Sequence, residues 1–389
     1  MSNFEDTEIA FANTSNAKLR KSYYIFQFFQ FNSLVDLGGR LAQWGLKWHL
    51  PVGLFAKPTI FGQFVGGVTL RETESTVNRL GKSGVFGILD YAIEGKTTER
   101  AFDDTLAHKL EMLRYVKNNP NVKMISAKVT GLGKFSLLER VHRGDVLLQS
   151  EQKEYERLRA RLHKLCAAAE EANTGILFDA EETWIQDPLD SLIDEMMAHY
   201  NKQKAIVYNT YQLYATSRLG KLKEDYEKAQ KEGYTLGAKL VRGAYMEKER
   251  ERATELGYPS PIHVDKAAVD RDYNAGLDYC LDRFDKGIAF CAATHNEDSC
   301  QYLAEQIVAR GLPKNHQYMF FAQLYGMGDH ITFNLAKEGY TTAKLIPFGP
   351  VREVIPYLVR RAQENSSVEG QTSRELSILT KEMKRRRLL

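Results

Sequence analysis

Eight short runs rich in β-branched and aromatic residues punctuate this chain, and each is followed by a long amphipathic helical pattern. The runs are VFGILDY (85–91), MISAKVT (124–130), GILFDA (175–180), AIVYNTY (205–211), LGAKLVR (236–242), IAFCAAT (288–294), YMFFAQL (318–324) and TAKLIPF (342–348). The helical patterns lie near 99–118, 151–173, 189–202, 213–231, 264–284, 297–310, 331–339 and 350–364. β-type segments alternating with helix-length segments predict a parallel sheet joined by helical crossovers. Eight such units predict a closed α/β barrel of the (βα)8, or TIM-barrel, class. An open doubly wound sheet is the competing architecture, but the first run is not followed by GxGxxG and no Walker A loop occurs.

Bulk composition narrows the function classes. Hydrophobic residues at 43% and charged residues at 26% supply an ample core for a globular protein. A net charge of +3 over 389 residues is too small for a broad nucleic-acid field, so no nucleic-acid partner is expected. Four cysteines, Cys166, Cys280, Cys291 and Cys300, show no CxxC spacing, which fits reduced thiols in a cytoplasmic compartment. The start, MSNFEDTEIAF, is acidic and has neither a basic n-region nor an apolar h-region, so no targeting segment is expected. No run of about 18 apolar residues occurs to span a membrane.

The two ends of the chain differ from its middle. Residues 1 to about 20 are polar, the composition of a loose terminus. From Tyr23 to Val68 the chain is dense in aromatics, and helices broken at Pro51 and Pro58 are the simplest reading. That segment reads as a helical wrap buried against the main domain, or as an arm that touches a membrane or a partner. Residues 369–389 end in KEMKRRRLL, expected to be a solvated basic tail, with attraction to an anionic surface as the other reading. The expected division is thus a helical arm over 1–83, a catalytic barrel over 84–368 and a tail over 369–389.

Active sites of such barrels lie at the C-terminal ends of the strands. The polar residues there are Asp90 and Glu94, Lys128, Asp179 and Glu181, Asn209 and Gln212, Lys239, Arg242 and Tyr245, Thr294, His295 and Asn296, and Gln323 and Tyr325. After the last strand, the loop Pro347–Pro350 leads into a helix with Val351, Ile355, Leu358, Val359 and Ala362 on one stripe and Tyr357, Arg360, Arg361 and Glu364 on another face. Adjacent arginines beside an aromatic ring suit a carboxylate clamp, because guanidinium grips carboxylate with two parallel bonds and keeps its charge. A solvated charged face is the plainer reading of that pair. Lys128, in an apolar strand, must meet an acid or an anionic ligand. Asp179 and Glu181 suit a metal, but His295 is the one nearby histidine, with no HxH or HxxxH partner, so no metal is expected. His295 reads equally as a cap of the following helix. Lys239 and Arg242, leading into Gly243-Ala244, suit a diphosphate or an electron-rich ring, since glycine lets backbone approach a ligand. These cations exceed what one small carboxylate needs, which points to a second, phosphorylated ligand.

Four runs then carry a resemblance. GAKLVRGAYMEKER (237–250), ATHNEDS (293–299), FAQLYGMGD (321–329) and PYLVRRAQENSSV (356–368) are similar to the FAD-dependent proline dehydrogenases, and the likeness extends from about Gly84 to Val368. The resemblance implies a distorted barrel whose last helix sits over the strand ends. It implies that Arg360, Arg361 and Lys128 bind the proline carboxylate, that Tyr357 and Tyr245 pack around the ring, and that Glu94 pairs with the first arginine as a gate. It places Asp179 near the flavin and Lys239, Val241, Arg242, Gly243, Ala244, Thr294, His295 and Asn296 around FAD, with Asn209 and Gln323 on the isoalloxazine or its chain. Two positions depart from common patterns. Many bacterial members have Arg and Lys where Lys239 and Arg242 stand here. Leu345 replaces a tyrosine that crowds the ring carbon bearing the hydroxyl of hydroxyproline, so proline remains the first substrate and 4-hydroxyproline the alternative.

The implied reaction is oxidation of L-proline to Δ1-pyrroline-5-carboxylate by hydride transfer from C5 to flavin N5, with electrons passed to a quinone. That is the first step of proline catabolism to glutamate. It implies transient contact with the inner face of the cytoplasmic membrane, and a separate pyrroline-5-carboxylate dehydrogenase downstream, since 389 residues hold no second catalytic domain beside this barrel. Rival readings are a phosphate-binding barrel enzyme using Lys128 as a Schiff-base lysine, and a non-catalytic scaffold, against which the retained Lys128, Asp179, Arg360 and Arg361 argue.

Overall fold

The computed structural model describes residues 3–48, 57–92, 95–367 and 371–389. In chain order the helices and strands are α1 (Thr7–Phe11), α2 (Asn16–Phe29), α3 (Asn32–Lys47), α4 (Leu70–Gly81), β1 (Val85–Tyr91), α5 (Glu99–Lys117), β2 (Val122–Ala127), α6 (Phe135–His142), α7 (Gln149–Glu171), β3 (Gly175–Phe178), α8 (Thr183–Tyr200), β4 (Val207–Gln212), α9 (Arg218–Glu232), β5 (Leu236–Val241), α10 (Met246–Leu256), α11 (Lys266–Leu281), β6 (Ile288–Ala293), α12 (Glu297–Ala309), β7 (Met319–Leu324), α13 (Asp329–Lys337), β8 (Thr342–Phe348), α14 (Val351–Ser367) and α15 (Gln371–Arg385). A π-turn, Lys57–Phe61, and a one-turn helix, Gly62–Phe64, precede α4. The strand order is that of a closed barrel, β1 to β8 in sequence. All eight strands expected from the alternation are present, and the (βα)8 architecture is the one found.

Local chemistry explains the boundaries. Thr98 and Asp265 accept from the amides of Ala101 and Ala268, capping α5 and α11 at orphan donors. β2 stops at Ala127 because Val129–Gly131 tightens into a 3-10 turn, so Lys128 sits just past the strand. α8 starts at Thr183, six residues earlier than the pattern suggested, and carries Pro188 within it.

Two compact units share the chain. One comprises Met1–Ile93 and Gln323–Leu389. In it β1 and β8 pair in parallel, from Val85 opposite Thr342 to Tyr91 opposite Phe348. Phe11, Leu19, Phe26, Phe29 and Phe64 from the N-terminal segment form one core with Tyr357 and Leu358 of α14 and Ile378, Leu379 and Met383 of α15. The expected loose start and solvated basic tail are therefore corrected. Residues 7–11 and 16–29 are helical, and the tail is a helix whose apolar face is buried. Its Glu382 is buried too, bonded by Arg385 at 2.8 Å and Arg386 at 2.6 Å, so part of the basic run is spent internally. Of the aromatic arm, Phe26, Phe29, Phe61 and Phe64 are buried in this core. Pro51, at which a helix break was expected, lies outside the described residues.

The second unit, Glu94–Ala322, holds β2 to β6, most of β7, and α5 to α12. Its core is filled by Phe178, Tyr208, Phe290 and Phe320, all buried. The four cysteines are buried and form no disulfide. Burial pushes the Cys291 and Cys300 thiols up to about 12, so they do not ionise at neutral pH. Among the described residues no helix is long and apolar enough to cross a membrane.

Candidate active site

In the second unit, charged side chains gather where β2, β3 and β5 end. Asp179, just past β3, accepts from Lys239 of β5 at 2.7 Å and from Ser126 of β2 at 3.2 Å. Burial alone would raise the Asp179 carboxyl, but the Lys239 and Lys128 ammonium groups outweigh it and hold the group below its usual range. Its side chain is still 20% exposed, as a group facing a ligand must be. Lys128 donates to the Tyr245 hydroxyl at 3.2 Å. Lys128, Asp179, Lys239 and Tyr245 are thus brought together, as the sequence led one to expect.

Glu181 supports this cluster. It is buried and takes the Thr130 amide at 3.2 Å and the Thr130 hydroxyl at 2.5 Å, which fixes the turn directly after Lys128. Its own amide donates to Gln186 at 2.8 Å, and Gln186 donates to Asp190 at 2.9 Å. Asp190 in turn receives Arg218 at 2.7 and 3.1 Å. Burial pushes the Glu181 carboxyl up to about 7, against the lowering pull of Lys128 and Thr130. Because the folded pKa lies above the unfolded one, the folded chain binds the extra proton between about pH 4.5 and 7. Glu181 thus contributes most below that window and loses its contribution as pH rises through it. In denaturant titrations, the stability of wild type relative to Glu181→Gln is expected to fall by on the order of 3 kcal/mol from pH 4.5 to pH 7.5. A pH-independent difference would remove this account.

A second cluster lies at the ends of β5 and β6. Arg242 is held by Asp270 at 2.9 and 2.7 Å, by Thr294 at 2.6 Å and by Ser299 at 2.9 Å, and it stacks over Tyr273 at 4.4 Å. Asn296, not His295, caps α12, through the Ser299 amide at 2.8 Å. His295, beside it, is half-buried. Gly243 has φ +146°, and a Cβ there would lie 2.4 Å from the Tyr214 ring. The glycine is therefore required by a protein side chain, where sequence reasoning had credited a ligand. Val241 is half-buried at the strand end, and Gly243 and Ala244 are exposed beyond it. An exposed backbone turn beside Arg242, Thr294 and Asn296 fits the diphosphate of a dinucleotide.

Two expected cofactor contacts point elsewhere. The Asn209 amide donates to Asp190 at 2.9 Å, inside the buried Arg218 network. It shares a strand face with Tyr211, which bonds Asp225 of α9 at 2.8 Å, so both side chains face the helices. The inward residue at the end of β4 is Gln212, whose amide holds the Glu181 carbonyl at 2.8 Å. The Gln323 carbonyl accepts from Thr332 of α13 at 2.7 Å. Asp270 had no signal in sequence, because it lies on a helix away from Arg242 along the chain, and Ser299, though it ends the run ATHNEDS, was not singled out.

In the first unit, α14 buries Val354, Ile355, Leu358 and Ala362 and leaves Arg360 and Arg361 half-buried. The Arg361 guanidinium lies over the Tyr357 ring at 5.2 Å. Leu345 is half-buried on β8, opposite Ile88. Glu94 lies outside the described residues. Among the described residues no group of three or more His, Cys, Asp and Glu is placed to hold a metal.

Comparison with known proteins brings these observations to a family. A family model described as proline dehydrogenase matches residues 73–374. Proline dehydrogenase 1, mitochondrial, of Dictyostelium discoideum is 32% identical over 98% of this chain and 74% of its own length. Hydroxyproline dehydrogenase of Xenopus laevis is 31% identical over 96% of this chain and 88% of its own. Proline utilization A of Bdellovibrio bacteriovorus, solved after inactivation by N-propargylglycine, superposes with a TM-score of 0.73 at 21% identity, over 82% of this chain but only 34% of that longer one, and so speaks for the fold. With most of its length matched by the family model and nearly all of it by relatives above 30% identity, the chain belongs to the proline dehydrogenase family of oxidoreductases.

Proposed function

We propose that this chain oxidises L-proline to Δ1-pyrroline-5-carboxylate with FAD as cofactor and a quinone as final acceptor. One observation supports this most. Two ammonium groups, Lys128 and Lys239, act on one ionised carboxylate, Asp179, so while the buried Glu181 keeps its proton, below about pH 7, these strand ends carry net positive charge and favour an anionic ligand beside Tyr245. FAD, when bound, supplies the acceptor for the hydride. Arg242, Thr294, His295 and Asn296 and the exposed Gly243-Ala244 backbone are assigned to its diphosphate and sugar, with Lys239, Val241 and Asp179 beside the ring. Gln212, inward at the end of β4, is a better flavin contact than Asn209.

The substrate carboxylate is assigned to Arg360, Arg361 and Lys128, and its ring to Tyr357 and Tyr245. Holding the carboxylate fixes C5 for transfer, which is the positioning part of catalysis. The ring nitrogen gives up its proton, C5 gives up hydride, and a C=N bond forms between them. The catalytic segment is taken as 84–368. Electrons then leave for quinone in a bilayer, which requires transient membrane contact, and a separate dehydrogenase consumes the hydrolysed product.

An anaerobic visible spectrum tests this directly. The purified chain is expected to show flavin bands that L-proline bleaches. Leu345 favours a second reading for the same site, because an apolar, shorter side chain leaves room at the ring. Wild type is therefore expected to accept trans-4-hydroxy-L-proline, and Leu345→Tyr to shift the kcat/KM ratio toward proline by about tenfold, as one lost pocket volume allows. Bleaching by hydroxyproline alone would move the specificity and keep the chemistry. A colourless chain that FAD cannot reconstitute would leave the Schiff-base barrel as the reading to test.

A further inference from the structure

Two side chains assigned to the substrate, Lys128 and Tyr245, are both tied to the segment after β3, where Glu181 sits. On one side Glu181 takes the Thr130 amide at 3.2 Å and the Thr130 hydroxyl at 2.5 Å, two residues past Lys128. On the other, Thr183 gives its amide and hydroxyl to Glu249 of α10 at 2.7 and 2.6 Å. The Glu249 amide donates to the Tyr245 carbonyl at 2.9 Å, and Lys128 closes the ring on the Tyr245 hydroxyl at 3.2 Å. The Glu181 backbone is itself pinned, its amide by Gln186 and its carbonyl by Gln212, both at 2.8 Å. Glu181 and Glu249 are 4% and 0% exposed, so both are closed off from bulk water.

Fastening the turn after Lys128 does not by itself call for an acid. A glutamine oxygen has two lone pairs for the Thr130 donors and carries no charge to bury. What glutamate adds is a charge that comes and goes near neutral pH, since burial pushes the carboxyl up to about 7 against the pull of Lys128 and Thr130. The other charged groups around it are paired. Glu182, beside it, is bonded by Lys248 of α10. Asp190 of α8, reached through Gln186, is held by Arg218 of α9. Asp179 is held by Lys239 of β5. Lys128 is thus the cation that responds when Glu181 ionises.

We propose that Glu181 is a positioning residue for the ligand's carboxylate: with its proton it leaves the Lys128 ammonium to the ligand, and without it it draws on that ammonium and loosens the grip. The proposal rests on the assignment of the substrate carboxylate to Lys128 above. Affinity is then highest below about pH 7 and falls as pH rises through that value. Linkage makes the coupling reciprocal, so a carboxylate that enters the site draws a proton onto Glu181.

Proline would confound the measurement, because its own amine titrates. Cyclopentanecarboxylate has the ring and the carboxylate without the nitrogen, and it stays ionised above about pH 6. In isothermal titration calorimetry of the flavin-loaded chain, its Kd is expected to rise about fivefold to tenfold between about pH 6 and pH 8.5, the size of one charge acting through a protein-like dielectric. At about pH 7.5, buffers of different ionisation heat are expected to reveal about half a proton taken up per ligand, as a tenfold coupling implies. Glu181→Gln, which resembles the protonated acid, is expected to show neither effect and to bind about fivefold tighter than wild type at pH 8.5. A gain in affinity is not what damage to the fold produces. Thr130→Val removes a donor to the ionised form, so the fall in affinity should move to higher pH. A wild-type Kd that ignores pH, or a Glu181→Gln variant that still takes up the proton, would overturn the proposal. So would a chain that binds no carboxylate at all. A chain that shows the Glu181-dependent coupling but leaves L-proline unoxidised with a soluble dye would end the oxidation reading alone. One that oxidises L-proline while the analogue ignores pH would end this proposal alone.

Discussion

Arg360→Met is expected to raise KM for L-proline by about a hundredfold or more, with kcat changed less and flavin retained in full. Losing one partner of a close charge pair costs about 2–5 kcal/mol, and each 1.4 kcal/mol is about tenfold in affinity. The loss appears in KM because the carboxylate is gripped alike in the ground state and the transition state. The geometry makes the test clean. Arg360 stands half-buried on α14, whose opposite face is packed through Val354, Ile355 and Leu358, so methionine removes charge without disturbing the core. Arg361→Met should act in the same direction, with an added loss of its stacking on Tyr357. Steady-state kinetics with the flavin-to-protein absorbance ratio measured alongside decides it. A KM within about threefold of wild type would remove Arg360 from the carboxylate site, because that change is under 1 kcal/mol. Lost flavin would place Arg360 with the cofactor.

Asp190→Ala is expected to be the most destabilising single substitution near the strand ends, by about 3–5 kcal/mol. Asp190 takes Arg218 at 2.7 and 3.1 Å, Gln186 at 2.9 Å and Asn209 at 2.9 Å, and both members of the ion pair are buried. Alanine leaves a buried guanidinium without its partner and two amides without an acceptor. Pairing the change with Arg218→Met should recover part of the loss, because the stranded charge goes with it. Chemical denaturation of the three variants measures this. A double variant no better than Asp190→Ala would mean that the amide bonds, not the ion pair, carry the effect. The same network runs through Gln186 and Glu181 to the turn after Lys128, so the substitution should also weaken proline binding.

The alternation of strand and helix patterns was legible because crossover helices and buried parallel strands differ in both length and composition. All eight strands lie where their runs are, and Lys128, Asp179, Lys239 and Tyr245 meet as strand-end position implied. Direction was harder to read. Asn209 and Gln323 were taken to face a cofactor and instead bond Asp190 and Thr332 on the helical side. Parallel barrel strands are buried on both faces, so they lack the apolar–polar alternation that would tell inward from outward. Parity becomes visible only once one residue, such as Lys239 beside Asp179, is known to point inward.

The ends of the chain show the same limit. KEMKRRRLL reads as a solvated tail because its charges are dense, yet Ile378, Leu379 and Met383 recur at helical spacing and fill a core with Phe11, Leu19 and Phe26. That core joins segments more than three hundred residues apart, a pairing that no local pattern encodes. The reverse holds for α2 and α3, where the abundance of aromatics was plain in the sequence but which of them are buried was not. By itself the sequence determined the barrel class, the family and the cationic character of the strand ends, since those follow from local periodicity and residue type. Only the tertiary structure decided which amides face the helices, what Gly243 makes room for, and which aromatics of the N-terminal segment are buried, because each depends on what another segment places opposite.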